Sequence, residues 1–177
     1  YFAGKLSSWY LPLNLTLAKN YMKLPNPENE FDNNILKHIN NKSWGVIYIP
    51  EDDEGPAYGF SVGLYHNFNH PEFIIFGLSQ EITQTIINNL GSEIAQGRKF
   101  SNLQKSEKVL QALTCQFAMV EVEHYEEYLG YANWLYESLS NPYPCLQILW
   151  PDKNGILPTE EGCDEKLLSY QPMLHKK

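Results

Sequence analysis

The feature that most constrains the fold is an apolar, strand-like run that leads directly into a helix with clear start and stop signals. EFIIFGL (72–78) is almost continuously apolar, as expected of a strand buried on both faces. Ser79 can cap the following helix, and Gly97 can end it. Apolar residues recur there every four positions, at Ile82, Ile86, Leu90 and Ile94. The sequence therefore predicts a buried strand followed by an amphipathic helix.

Short apolar segments separated by turns occupy the rest of the chain. WGVIYIP (44–50) and AYGFSVGLY (57–65) predict a β-hairpin, and two further strands are predicted over 115–123 and 144–151. A helix is predicted after Phe31, with Asp32 or Asn33 near its N-cap. Further helices are predicted near Ser106–Leu113 and over Tyr125–Leu139. This order predicts an α+β fold, a mainly antiparallel sheet with helices packed on one face.

The length of 177 residues favours one domain. Residues 1–26 are predicted to form an N-terminal extension, because the first stretch, residues 1–21, contains no acidic residue, unlike the rest of the chain, and a segment with two prolines typical of a linker begins at Leu24. The extension matches a secretory signal poorly, since Pro12 and Asn14 interrupt its apolar segment. The single α+β domain is predicted over 27–177. No apolar run reaches the roughly 18 residues of a membrane helix, so no membrane association is expected.

Charge and cysteine content narrow the class of partner. The formal net charge is −8, which argues against a nucleic-acid partner because phosphate binding needs clustered basic residues. The same charge suits a basic protein partner. Cys115, Cys145 and Cys163 form no CxxC pair, which indicates reduced thiols and a cytoplasmic location. No glycine-rich phosphate loop is present, and no cofactor is expected. The oligomeric state stays open.

The segment GLYHNFNHPEF (63–73) brings two histidines close to a carboxylate. His66 and His70 have the i, i+4 spacing of helical metal ligands, but Pro71 and the neighbouring Gly63 make a helix an unlikely context. A loop could still bring them together with Glu72, and with His124 as a fourth ligand. A histidine beside a carboxylate could also perform acid–base chemistry. The favoured interpretation is a bend between strands that His70 and Glu72 hold by hydrogen bonds to backbone.

Four consecutive carboxylates stand at the predicted hairpin tip, EDDEG (51–55). The ligand spacing of an EF-hand is absent, so the alternatives are a solvated turn and a patch that docks basic side chains. Trp150 at a strand end can line an interface, whereas Trp134 is predicted to pack into the core. Asp152 is predicted to accept backbone N–H groups in the next turn. The predicted partner-binding residues are Glu51, Asp52, Asp53, Glu54, Tyr58, Trp150 and Asp152.

One further motif superficially matches a catalytic one. Ser61 lies in GFSVG, which has the GxSxG pattern of hydrolase nucleophiles. That motif requires a turn from a strand into a helix, with the oxyanion hole at the helix start. Because the sequence predicts a strand on both sides of Ser61, we do not assign it as a nucleophile.

Three separated blocks, PEDDEGPAYGFSVGLYHNFNHPEFIIFGL, YLGYANWLY and PCLQILWPDKNGILP, resemble the bacterial family named domain of unknown function 4262. The resemblance runs from about Trp44 to about Pro158 and implies a shared fold and a shared surface. The resemblance implies no particular reaction. It suggests that the protein has an immunity role against a toxin. Cys145 stands where relatives tend to carry a small apolar residue, and it is interpreted as a small hydrophobe in a strand.

The sequence thus favours a small acidic domain that binds a protein partner, with neutralisation of a basic toxin by occlusion as the expected role. The alternative is an enzyme or small-ligand binder, whose pocket would gather His66, His70, Glu72 and Trp150 together with Tyr58 and Asp152. A flavin-binding barrel is a third hypothesis, suggested only by the order of strands.

Overall fold

The computed structural model describes residues 22–110 and 113–176. Most of the predicted N-terminal extension therefore lies outside the described residues. Six strands are described: β1 (Gly45–Ile49), β2 (Tyr58–Val62), β3 (Glu72–Phe76), β4 (Lys105–Leu110), β5 (Leu113–Met119) and β6 (Cys145–Leu149). The α-helices are α1 (Glu30–Lys42), α2 (Leu64–Phe68), α3 (Gln80–Ala95), α4 (Tyr125–Tyr128), α5 (Gly130–Leu135) and α6 (Glu165–Tyr170). A 3₁₀ turn, Val122–His124, precedes α4.

The described strands form one sheet in the order β1-β2-β3-β6-β5-β4. Neighbours run antiparallel except β3 and β6, which are parallel and place Glu72 opposite Cys145. A parallel pair needs a long crossover, and the chain between β3 and β6 supplies one that includes α3 and two strands. The α+β class with a mainly antiparallel sheet is confirmed.

Helices cover both faces of this sheet, whereas the sequence predicts them on one. Ile74 and Phe76 of β3 belong to a core cluster with residues of α1 and α5. Phe73 and Ile75, which alternate with them, belong to a second cluster with α3. Successive strand residues point to opposite faces, and all four of these side chains are 0% exposed. A strand that is apolar on both sides needs two layers of cover, and one helix layer cannot supply them.

The best-predicted unit is β3 with α3. Ser79 caps the helix, with its Oγ accepting from the N–H of Ile82 at 3.4 Å. Gly97, at φ +93°, follows the helix end as predicted. The buried stripe shifts slightly from the predicted one, because Ile82 is 45% exposed while Ile87 is 0% exposed.

Helix α1 begins earlier than predicted. Its N-cap is Asn29, whose Oδ1 accepts from the N–H of Asp32 at 2.9 Å. Asp32 is therefore the third helical residue, and its Oδ2 accepts from the N–H of Glu28 at 2.9 Å. The arrangement differs from a capping box because Asp32 accepts from the residue before the cap and not from the cap itself, so Asp32 supports the start of the helix without being the cap.

The predicted helix near Ser106–Leu113 is instead strand β4, and residues 111–112 of that segment lie outside the described part. Ser106 and Val109 are both buried at a spacing of three, which resembles a helical repeat. The spacing arises because the β4–β5 register shifts between Ser106 and Leu110. Such an irregularity breaks the two-residue alternation of a strand, and for this reason the segment was predicted to be a helix.

The aromatic-rich helix predicted over Tyr125–Leu139 is divided in two. Leu129 adopts φ −118° and ψ 33°, outside the helical region, and Gly130 begins α5. Tyr125 and Leu129 are both buried, and Asn133 Nδ2 donates to the carbonyl of Tyr125 at 2.6 Å. The same carbonyl also accepts the backbone N–H of Leu129 at 3.0 Å, so the Asn133 side chain adds a hydrogen bond across the break.

The strand predicted to continue to Tyr65 ends at Val62. Gly63 lies at φ +107°, and a Cβ there would come within 3.0 Å of Ile39 and of the Ser43 carbonyl. Only glycine accommodates both the backbone and the close approach of α1. The chain then forms helix α2, so the prediction of no helix around His66 is wrong. Across the described residues, no helix is long and apolar enough to cross a membrane.

Candidate functional site

The carboxylate of Glu72 lies at the centre of a buried hydrogen-bond network. Glu72 is the first residue of β3 and is 0% exposed. Its Oε1 accepts from the N–H groups of Gly63 at 2.8 Å and Tyr65 at 3.0 Å, and from the hydroxyl of Tyr136. Its Oε2 accepts from the hydroxyl of Ser61. One side chain therefore joins β2, α2, β3 and the end of α5, and we call these four donors and Glu72 the Glu72 network.

The directions of these hydrogen bonds are set by a second layer of donors. The Ser61 hydroxyl accepts from the N–H of Phe73 at 2.8 Å, so its own proton is available for Glu72. The Tyr136 hydroxyl accepts from the N–H groups of Gly63 and His66, each at 3.2 Å, and likewise donates to Glu72. Burial raises the pKa of the Glu72 carboxyl, and the hydrogen bonds act in the opposite direction. All four groups around Glu72 donate hydrogen bonds. They therefore satisfy a side chain that accepts, such as the carboxylate, and they leave no acceptor for a side chain that donates.

His70 is held separately from Glu72. Its Nδ1 lies 2.8 Å from the carbonyl of Pro71, and its Nε2 lies 2.9 Å from the N–H of Phe100. These partners require a neutral ring with the proton on Nδ1. Burial lowers the pKa of His70, which is 3% exposed. His70 thus ties the start of β3 to the segment after α3, and the predicted hydrogen bonds from His70 and Glu72 to backbone are present.

The other residues weighed for catalysis or metal binding, His66, Ser61 and His124, are placed differently. His66 is half-buried within α2, and its backbone N–H donates to Tyr136. Ser61 is 0% exposed and engaged twice, although a helix does follow its strand after Gly63. His124 lies in the 3₁₀ turn. Among residues 22–110 and 113–176, no group of three or more His, Cys, Asp or Glu side chains could hold a metal ion.

The acidic hairpin tip is folded by one of its own carboxylates. Asp52 Oδ1 accepts from the N–H of Glu54 at 2.9 Å and of Gly55 at 3.2 Å, and Asp52 N–H donates to the Gly55 carbonyl at 3.2 Å. This is the turn chemistry expected of aspartate. Glu51, Asp52, Asp53 and Glu54 are all exposed.

A concave site lies beside this tip, between the hairpin and helix α4. Its volume is about 140 Å³. Tyr58 and Tyr128 form its aromatic wall, with ring centroids 5.5 Å apart and an interplanar angle of 82°. Asp52 and Glu54 line it from the hairpin and Glu127 lines it from α4. The other lining residues are Ile49, Pro50, Gly55 and Pro56. We call this site the tyrosine pocket.

The pocket has a negative electrostatic environment. Burial, followed by the charges of Asp52 and Glu127, raises the pKa of Tyr58. Burial and the neighbouring Glu127 raise the pKa of Tyr128 to about 12. Both hydroxyls therefore stay protonated at neutral pH, and the carboxylates supply the charge. A cation is the ligand that such an environment favours.

Trp150 and Asp152 do not line the tyrosine pocket. Trp150 Nε1 donates to the carbonyl of Phe76 at 2.9 Å. Asp152 accepts from the N–H groups of Asn154 at 2.8 Å, Ile156 at 2.9 Å and Asp164 at 3.2 Å. These bonds, with Ile156 first, lower the pKa of Asp152 and show the turn role predicted for it. Trp134 is half-buried against the core and meets Tyr131 edge-on.

A family model described as Domain of unknown function (DUF4262) matches residues 38–164, more than half of the chain. The chain belongs to this family. No curated protein and no solved structure matched the chain. The DUF4262 match contains all six strands, the Glu72 network and the tyrosine pocket.

Two residues of the tyrosine pocket were missed by sequence reasoning. Tyr128 and Glu127 lie about seventy positions after the hairpin, in a segment whose aromatic spacing indicates a core helix. The available signal was YEEYLG, which pairs exposed acids with aromatic residues directly before a glycine. Nothing in that pattern identifies the hairpin as its neighbour in the DUF4262 domain.

Cys145 takes the place predicted for it. It is 0% exposed in β6, where it behaves as a small apolar residue. Burial, with a smaller contribution from the charge of Glu72, raises the pKa of its thiol well above the usual range. Cys115 is buried as well, while Cys163 is partly exposed, and all three cysteines are free.

Proposed function

We propose that this DUF4262 domain is a binding module that docks a basic protein surface on its acidic hairpin, in an immunity-type role against a toxin. The observation that carries the proposal is the tyrosine pocket. Its three carboxylates surround a concave aromatic surface. Within the described part of the chain, the two ion pairs are Arg98–Glu93 and Lys105–Glu160, and neither involves the hairpin.

The charge distribution supports docking in two ways. Exposed carboxylates that form no ion pair within residues 22–110 and 113–176 can steer a positively charged surface during diffusional encounter. Like charges within four successive residues also repel one another, and the positive charge of a basic partner offsets this repulsion. The aromatic wall then supplies apolar contact area, of the kind that dominates binding energy at interfaces.

The proposed mechanism is occlusion. A bound partner would be covered at its basic surface, which is the surface a toxin needs when it acts on an anionic substrate. Such neutralisation requires no reaction by the DUF4262 domain. The proposed location is the cytoplasm, where thiols such as the three free cysteines remain reduced.

The test is a binding measurement with the purified product of the gene adjacent to the one for this chain. Asp53→Lys/Glu54→Lys reverses two charges at the tip and leaves the turn-forming Asp52 in place. We expect the association rate to fall by about tenfold at low ionic strength, with a weaker dependence on salt.

The matched control is Glu107→Lys/Glu161→Lys. It makes the same change in net charge at exposed positions, with Glu107 on β4 at the opposite edge of the sheet from β1. The control should leave association within about twofold of wild type. Equal losses in the two variants, or no complex with wild-type protein, would overturn the proposal.

A further inference from the structure

We propose that the tyrosine pocket receives one arginine side chain of the basic partner. This inference rests on the proposed docking function and adds the chemical identity of the anchoring group. The size of the pocket limits the ligand. Pockets for cofactors and drug-sized ligands have volumes of about 300–1,000 Å³. At about 140 Å³ the tyrosine pocket is smaller than this class, and a single protruding side chain is the ligand of suitable size.

The wall of the pocket is aromatic and fixed in position. Tyr58 and Tyr128 are both half-buried, so their rings are fixed by the core yet reach the pocket. Phe76 holds both rings from beneath, with centroids 5.2 Å from each. Aromatic faces attract cations that lie within about 6 Å of a ring centroid. A rigid aromatic corner of this kind therefore binds a cation without ordering flexible side chains first.

The carboxylates of the pocket come from two separate elements. Asp52 and Glu54 approach from the hairpin, and Glu127 approaches from α4 on the other side of the pocket. The carboxylate of Asp52 is held in place by two backbone N–H groups of its own turn. Carboxylates on two sides of one pocket suit a ligand that donates in several directions at once.

These features together distinguish arginine from lysine. The guanidinium group is planar, carries five N–H donors, and is less strongly hydrated than an ammonium group. It can lie on a tyrosine face while its edges donate to carboxylates on both sides of the pocket. A lysine ammonium is a compact charge that can satisfy the carboxylates but gains less from the aromatic wall.

The experiment uses capped single residues as probes of the full chain. N-acetyl-arginine methylamide is titrated against wild-type protein, and tyrosine ring and backbone amide signals are followed by NMR. N-acetyl-lysine methylamide tests charge without the planar group, and N-acetyl-citrulline methylamide tests shape without charge. We expect saturable shifts at the tyrosine pocket with the arginine probe, and binding at least about threefold weaker for lysine.

Tyr128→Leu removes one ring of the wall and should weaken arginine binding by at least about threefold. Tyr131→Leu is the control, because Tyr131 is also half-buried but packs on Phe31 and Trp134 outside the pocket. Circular dichroism checks that both variants fold. Equal binding of lysine or citrulline, or equal loss in both variants, overturns the arginine assignment.

The outcome separates this inference from the proposed function. If the partner binds and Asp53→Lys/Glu54→Lys weakens the complex, but the arginine probe leaves the pocket signals unchanged, docking stands and the arginine assignment fails. If the arginine probe binds at the pocket but no partner complex forms, the pocket assignment survives as a cation site and the docking role fails.

Discussion

Carboxylates occur in two opposite settings in this protein, the Glu72 network and the acidic hairpin. Glu72 is fully buried and accepts four hydrogen bonds from protein donors. The hairpin carboxylates are exposed, and of the four, Asp52 is the one that bonds within the turn. A buried carboxylate must find its partners inside the fold, whereas an exposed one is stabilised by water and remains available. The contrast supports a structural role for Glu72, and it agrees with the recognition role that we propose for the hairpin.

The largest expected effect is the loss of stability in Glu72→Gln. The amide group would face the hydroxyls of Ser61 or Tyr136, whose oxygens already accept backbone N–H groups. The N–H groups of the glutamine amide would then face hydroxyls that also donate, and buried polar groups would be left without a partner. We therefore expect a loss of about 3 kcal/mol in the free energy of unfolding.

Urea denaturation measures this loss, and Glu127→Gln at the exposed rim of the tyrosine pocket is the control. The control should change the unfolding free energy by no more than about 0.5 kcal/mol. Similar values for the two variants would remove the distinction between the buried and the exposed carboxylates.

Tyr136→Phe should have the next largest effect. It deletes the hydroxyl that donates to Glu72 and accepts from Gly63 and His66. We expect a loss of about 2 kcal/mol, because a buried charge loses one donor and two N–H groups lose an acceptor. Thermal and urea unfolding provide the measurement. Tyr131→Phe, on the same helix, should remain near wild type, and an unchanged Tyr136→Phe would show that the network is dispensable.

A smaller effect, of defined sign, is expected from His70 on acidification. Its pKa is lowered in the fold by burial, so the unfolded chain binds the proton more readily below the ordinary value of 6.5. The stability that comes from neutral His70 is therefore fully present above pH 6.5, and it is lost progressively as the pH falls below 6.5 towards the lowered pKa of the folded state.

His70→Gln removes this titration. Between pH 7 and pH 5 we expect the unfolding free energy of wild type to fall more steeply than that of the variant, as followed by urea unfolding at several pH values. Because burial raises the pKa of Glu72, that group changes stability in the opposite direction over the acid range. The difference between the two proteins isolates His70, and parallel pH profiles would contradict the assignment.

The smallest effect on stability is expected at the hairpin. Asp53→Lys/Glu54→Lys should change the unfolding free energy by less than about 0.5 kcal/mol, because both side chains are exposed. The same variant is expected to lose about tenfold in association rate. A large loss of stability would mean that the tip supports the fold, and it would weaken the contrast with Glu72.

Local signals in the sequence were sufficient for the elements that form from neighbouring residues. The apolar run of β3, the cap at Ser79 and the stop at Gly97 were all predicted, because each depends on backbone bonding within one segment. Strands β1 and β6 and the turn role of Asp152 follow the same rule. Where an irregular strand register changed the local pattern, as in β4 against β5, the prediction failed.

By itself the sequence determined the α+β class, the central strand–helix unit and an acidic hairpin, since periodicity and turn chemistry act over a few residues. Tertiary structure alone decided that helices cover both faces, that His70 and Glu72 serve different contacts, and that Tyr128 and Glu127 complete the tyrosine pocket. The physical reason is that burial and long-range hydrogen bonding depend on which segments meet. Which segments come into contact depends on the packing of the whole core, and the sequence of a single segment does not indicate it.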